Sequence, residues 1–360
     1  MSLPDNTMIN DIRSPSQFKG ISFSKFKKTE VRDQLLKNMC NGKIEPACYW
    51  AAELICAGHF MELWEAIIHY IGKHIHLGNP KLVIYLEMRF TVFRNIMSQG
   101  HFIHEIELRN NDKIRKLFAE VISTLSLSNK KHSFESIKIN RMEEFDMTQM
   151  TERLKAPHVR YAEDLFKKED PKELYIAINE FAYNISPDGC NMRTASYWIE
   201  WVIEFDIICR KRKEGVYCER RKMPVETKYQ KDIIWLIWDC LLKYCNEKKN
   251  PFLEKIMQSI MNVFCIKYTT SACKKRRYLL YFAVALLTEP VPTAIEIVTK
   301  KEVIQNVVDK IDQIYKQIKK NEESPNTEYL FSNLDQKNTF EQSVKRMEML
   351  QSVDFANRPL

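Results

Sequence analysis

The chain has 360 residues, 45% hydrophobic and 28% charged, with 55 Lys and Arg against 47 Asp and Glu for a formal net charge of +8. Those values suit a folded chain with a real core and exclude a disordered or collagenous one. Only 8 glycines occur, which argues against Gly-rich phosphate loops and many tight β-turns, while the modest charge permits a polyanionic partner without demanding one.

Residues 1–20 are polar and aperiodic and are expected to form a loose arm; MSLPDNTMINDIR lacks the apolar segment of a secretory signal. A first helical unit is predicted over 21–128, a connector rich in charge over 129–156, and a second helical unit over 157–290. A C-terminal amphipathic helix follows over 291–320, with Ile304, Val307, Val308, Ile311, Ile314 and Ile318 on one face. The tail 321–360 is polar, with a short helix near 338–352. Apolar stretches are broken by charge within a dozen residues, so no membrane span is expected.

The two units read as diverged copies. ACYWAAELI (Ala47 to Ile55) recurs as ASYWIEWVI (Ala195 to Ile203), with apolar residues at helical spacing in both. The stripe Phe60, Leu63, Trp64, Ile67, Ile68, Ile71 is followed in the second copy by Ile234, Trp235, Trp238, Leu241, Leu242. Each copy then reaches Asn-Pro (Asn79-Pro80, Asn250-Pro251), where proline is expected to open the next helix. Leu82, Leu86, Phe90 and Phe93 match Leu253, Met257, Met261 and Phe264, and 113–125 matches 275–287. The expected fold class is therefore all-α: two tandem diverged units plus a C-terminal helix.

In the first unit, Ala47, Tyr49, Trp50, Ala52, Ile55, Ala57 and Gly58, followed by Leu77, Gly78, Asn79 and Pro80, form a pattern. It resembles the helical C-terminal domain of the RarA/MgsA class of AAA+ ATPases, relatives of clamp loaders. The likeness spans about forty residues, with a weaker echo in the second unit. It implies collar-like bundles that serve assembly, with Gly58 closing a helix. No G-x-x-x-x-G-K-[ST] occurs, so the nucleotide-hydrolysing half has no counterpart. The same phrase and the Lys/Asn/Ile-rich composition are also similar to uncharacterised proteins of large nucleocytoplasmic DNA viruses.

No catalytic signature is present, and no enzyme activity, cofactor or metal is expected. His59, His69, His74 and His76 cluster, but without the Cys pair or acidic ligand of a zinc site they read as solvated or interfacial. The ten cysteines form no C-x-x-C and read as reduced, structural thiols. The second unit alone carries RKRKEGVYCERRK, whose Arg210, Lys211, Arg212, Lys213, Arg220, Arg221 and Lys222 are candidate nucleic-acid contacts. Lys274, Lys275, Arg276 and Arg277 form a second basic run, read as opening a helix, where it opposes the dipole. Trp201 lies off its helix stripe and is assigned to a protein interface.

These features point to a non-enzymatic helical scaffold or adaptor, of the kind that assists DNA replication or repair assembly and touches nucleic acid through a basic loop. The alternatives are a structural virion or minor-capsid type assembly protein, or a helical-repeat RNA or translation adaptor. Expected partners are proteins or a second copy, with DNA or RNA and no membrane. The expected compartment is cytoplasm or nucleus, including a viral factory or virion.

Overall fold

A computed structural model describes residues 7–99, 105–141, 145, 151–298 and 300–323. Among these residues the chain is all-α, with thirteen helices and no strand beyond an isolated bridge between Ile21 and Lys27. No described helix is long and apolar enough to cross a membrane.

The first five helices are α1 (Lys28–Cys40), α2 (Ile44–Cys56), α3 (Phe60–Tyr70), α4 (Leu82–Gln99) and α5 (Asp112–Leu127). Helix α2 ends as its sequence predicts. Gly58 takes φ +77°, and the amides of Gly58 and His59 return to the carbonyls of Ile55 and Leu54, a cap that glycine permits without strain. Helix α3 widens into a π-turn at Ile71–Ile75. A side chain on Gly72 would bring its Cβ within 2.9 Å of the Tyr278 backbone, so glycine is what lets this turn touch a later helix.

The next helices are α6 (Tyr175–Ile185), α7 (Met192–Lys211), α8 (Ile234–Glu247), α9 (Pro251–Phe264), α10 (Thr270–Lys275) and α11 (Arg277–Thr288). Asn250 caps α9, its Oδ1 accepting the Phe252 amide at 3.0 Å, with Pro251 in the first turn. The Asn79-Pro80 pair behaves differently. Pro80 sits in a turn and α4 begins only at Leu82, while buried Asn79 donates to the Glu296 carbonyl at 2.9 Å. Here the asparagine side chain fastens a distant segment and so caps nothing.

Helix pairings recur along the chain. Helix α1 packs on α2, α3 and α5, α2 packs on α3 and α5, and α4 packs on α5. Likewise α6 packs on α7, α8 and α11, α7 packs on α8 and α11, and α9 packs on α11. A tryptophan–phenylalanine contact sits at the matching place in each set, Trp64 to Phe93 at 5.7 Å and Trp235 to Phe264 at 6.1 Å. The sets meet where α4 lies along α9 and where the π-turn meets α11. Buried apolar residues from both merge into one continuous core.

Two expectations about the ends require correction. From Thr7 onward the supposed loose arm belongs to the fold. Buried Arg13 pairs with Asp11 at 2.6 Å, donates to the Phe23 carbonyl at 3.0 Å and stacks against Phe18 and Phe23. The arm's polar residues satisfy one another inside the protein, which composition alone does not reveal. The C-terminal helix breaks at Lys310 into α12 (Lys301–Asp309) and α13 (Ile311–Lys319), which pack back on α5 and α2. The helix expected near 338–352 lies outside the described residues.

Between α10 and α11, buried Arg276 donates to the Phe264 carbonyl at 2.6 Å and pairs with Glu65 of α3. Glu65→Ala strands that guanidinium. The variant should lose about 3 kcal/mol of stability in urea denaturation, and a loss under about 0.5 kcal/mol would show that the pair holds nothing together.

Candidate nucleic-acid interface

The eleven basic residues singled out from the sequence divide by environment. Arg221 is buried, gripping Asp170 through two hydrogen bonds of 2.6 Å and Asp239 through Nε at 2.8 Å. Burial of Asp170 opposes its ionisation, but Arg221 and the amides of Lys167 and Glu219 outweigh that and hold the carboxyl below its ordinary range. Arg276 is the buried partner of Glu65. Neither of these two can meet a phosphate.

Three more are neutralised in place. Arg210 pairs with Asp206 at 2.8 Å and Asp232 at 3.3 Å, Lys274 with Glu204 at 2.6 Å, and Arg277 with Glu200 at 3.0 Å. The expectation that the second run opens a helix also changes. Lys274 and Lys275 close the short α10, and only Arg277 starts α11. Arg210 and Lys211 likewise end α7, and the amides of Lys213 and Glu214 return to Arg210 and Cys209. A basic run there complements the helix dipole.

Lys211, Arg212, Lys213, Arg220, Lys222 and Lys275 remain exposed, with no ion pair among the described residues. Of these, the structure brings Arg220 and Lys222 together. Backbone bonds from Cys218 to Lys231 and from Arg221 to Gln230 fold 218–231 into a tight ribbon, and the Arg220 Nε donates to Gln230 at 2.7 Å. The ribbon edges a hollow of about 700 Å³ against α9, lined by Arg220, Lys222, Met261 and Asn262. Pro224 and Asn262 are shared with a second hollow of about 600 Å³ along the α4–α9 seam. That hollow adds Arg94 and Lys267 over Phe90, Phe93 and Met97. Its one carboxylate, Glu87, is occupied by Asn262 at 2.7 Å.

The result is a groove with an apolar floor and four cations, Arg94, Arg220, Lys222 and Lys267, contributed by three separate parts of the chain, with Lys267 also 3.7 Å from the exposed carboxylate of Glu105. Arg94 and Lys267 were missed in the sequence because each is a lone cation within an otherwise helical pattern. Only the packing of α4 on α9 places them beside the ribbon.

Trp201, assigned to an interface from the sequence, is instead packed inside the chain. It is buried, with Phe205 stacked on it at 5.3 Å and Phe145 at 5.0 Å. The histidines are each engaged separately, and no metal-binding group of His, Cys, Asp or Glu exists among the described residues. His59 Nε2 lies 2.8 Å from the Ile21 carbonyl, His74 Nδ1 2.6 Å from Ser133, and His76 donates to the His132 carbonyl at 2.7 Å while stacking on Phe134. The ten cysteines are free thiols, eight of them buried. Burial pushes Cys48, Cys56, Cys218 and Cys265 up to about 12, far from a reactive thiolate.

Burial first, then neighbouring cations, pushes His69 down to about 3 and His74 to about 4. His76 also falls to about 4, again through burial, against a partly opposing bond to the His132 carbonyl. Each takes up a proton on unfolding below its ordinary 6.5. Their contribution to stability is complete above that pH and is lost as pH falls towards 4. A melting-temperature profile should decline through this window and less steeply for His69→Leu; equal slopes would count against this account. In denaturant titrations Arg221→Ala should cost about 3 kcal/mol and Lys222→Ala no more than about 0.5 kcal/mol.

Compared with family models, curated proteins and solved structures, the chain gives no match.

Proposed function

We propose that the protein is a non-enzymatic helical scaffold or adaptor that binds a DNA or RNA backbone in the groove between α4, α9 and the 218–231 ribbon. The observation that carries this reading is the convergence of Arg94, Arg220, Lys222 and Lys267 over a floor of Phe90, Phe93 and Met97. Cations along a groove supply salt-dependent attraction to phosphates, and an apolar floor suits unstacked bases. Lys211, Arg212 and Lys213 add exposed positive charge at the end of α7. The resemblance to the collar-like domain of RarA/MgsA-type ATPases agrees with a role in replication or repair assembly, carried out in the nucleus, cytoplasm or a viral factory.

We further take α1–α5 and α6–α11 as diverged copies, a reading supported by their recurring helix pairings. A difference between them favours a second role in protein assembly. Tyr197 and Trp198 are buried in the later set, whereas their counterparts Tyr49 and Trp50 are only half-buried, with Trp50 packed edge-on against the exposed Phe26. That aromatic surface suits a second copy or a virion or adaptor partner.

Fluorescence anisotropy with labelled single- and double-stranded DNA and RNA tests the groove. Wild type should bind at about 50 mM salt. The Arg94→Glu, Arg220→Glu, Lys222→Glu triple variant should bind weakly, with a salt slope reduced by about 2 on single strands and about 3 on duplex for three lost phosphate contacts. No binding by wild type, or an unchanged slope in the variant, would sink the proposal. For the aromatic surface, Phe26→Ser with Trp50→Ser should abolish any self-association seen by sedimentation velocity.

A further inference from the structure

We propose that the N-terminus of α7, together with residues 132–138 and 152–155, binds a small molecule carrying a phosphate monoester. This site is separate from the α4–α9 groove and does not depend on it. A hollow of about 1020 Å³ opens there, walled by the first turns of α7 from Met192 to Tyr197. Lys138, Arg153, Lys155 and Arg193 line it, all exposed, against the two carboxylates of Glu135 and Glu152. The excess of cations is thus concentrated where a twenty-residue helix points its amide ends. An anion is stabilised at that end of a helix by the dipole and by N–H groups left over from capping; here Asn191 Oδ1 accepts the Thr194 amide at 3.0 Å.

A second observation is independent of charge. Ser196 lies on the wall of the hollow, 1% exposed, and its hydroxyl has no hydrogen-bond partner among the described residues. A serine within a helix ordinarily donates back to the carbonyl four residues earlier. A buried hydroxyl left unpaired destabilises the fold, and its position on the wall of a cationic hollow points to a partner that arrives with a ligand. At the matching position of the first set stands Cys48, whose thiol lies 4.0 Å from the Ser123 hydroxyl. The unmet hydroxyl therefore belongs to the later set.

The surrounding framework is built to hold these groups. The Arg153 guanidinium lies 4.5 Å from the centre of the Tyr197 ring, which keeps it over the second turn of α7. Buried Glu180 of α6 accepts the amides of Lys155 and Ala156, each at 2.9 Å, and fixes the segment carrying Lys155. Guanidinium, ammonium, hydroxyl and helix amides are the donors a phosphate dianion recruits. The hollow is larger than an inorganic ion and leaves room beside the phosphate for an organic part.

Isothermal titration of the full chain with inorganic phosphate, adenosine monophosphate and adenosine tests the site. The two phosphates should bind saturably and adenosine should not. Combining Arg193→Glu with Lys155→Glu should weaken both at least tenfold. Ser196→Ala should weaken them severalfold without lowering the melting temperature, since it deletes an unpaired hydroxyl. The groove triple variant should bind phosphate as wild type does. Absence of saturable binding by wild type, adenosine binding as well as its monophosphate, or wild-type affinity in the Arg193 and Ser196 variants would overturn the proposal.

Discussion

The buried guanidinium of Arg276 joins the two halves of this chain. It reaches from the junction of α10 and α11 to Glu65 on α3 while capping the end of α9 through the Phe264 carbonyl. The close approach of Gly72 to Tyr278 brings α11 against the π-turn beside it. With those contacts set, α4 can lie along α9, and the groove exists only because that seam does. A charge taken out of water is costly unless paired and hydrogen-bonded. The same feature therefore both requires the two halves to be correctly docked and punishes any other arrangement.

Much of the fold was legible in the sequence, because its signal is periodic. The apolar stripes of α2, α3, α8 and α9, the Asn250-Pro251 start and the Gly58 stop each rest on local chemistry. The pairing of α1 with α2, mirrored by α6 with α7, was not legible. Neither α1 nor α6 carries a motif shared with the other. The arm around Arg13 was misread for a related reason, since a polar segment whose charges pair internally looks the same in composition as one in solvent.

The candidate site was legible in part. A basic run in sequence signals positive charge but says nothing about its destination. Arg221 and Arg276, adjacent to exposed lysines, turn inward because Asp170, in a bend before α6, and Glu65 of α3 wait at fixed positions far away in the sequence. Arginine suits that inward role, since its planar fork can satisfy a carboxylate and a carbonyl together. The neighbours Lys222 and Lys275 stay in solvent. Adjacent cations of one run therefore have opposite duties, one holding the core and one available to a partner.

The first helices are also completed from far along the chain. Arg115 of α5 donates to the Thr7 carbonyl and to Asp312 of α13, which lies 197 residues further on, with Tyr315 packed 3.9 Å from its guanidinium. During synthesis at roughly 5–20 residues per second, α2 and α5 emerge on the order of ten to fifty seconds before α12 and α13 can cover them. The early half thus waits, with an apolar face and a buried-to-be arginine uncovered, for α12 and α13 to leave the ribosome. Its vulnerability in that interval is to chaperone capture or misassociation, and the closing of α13 over Arg115 is the event that ends it.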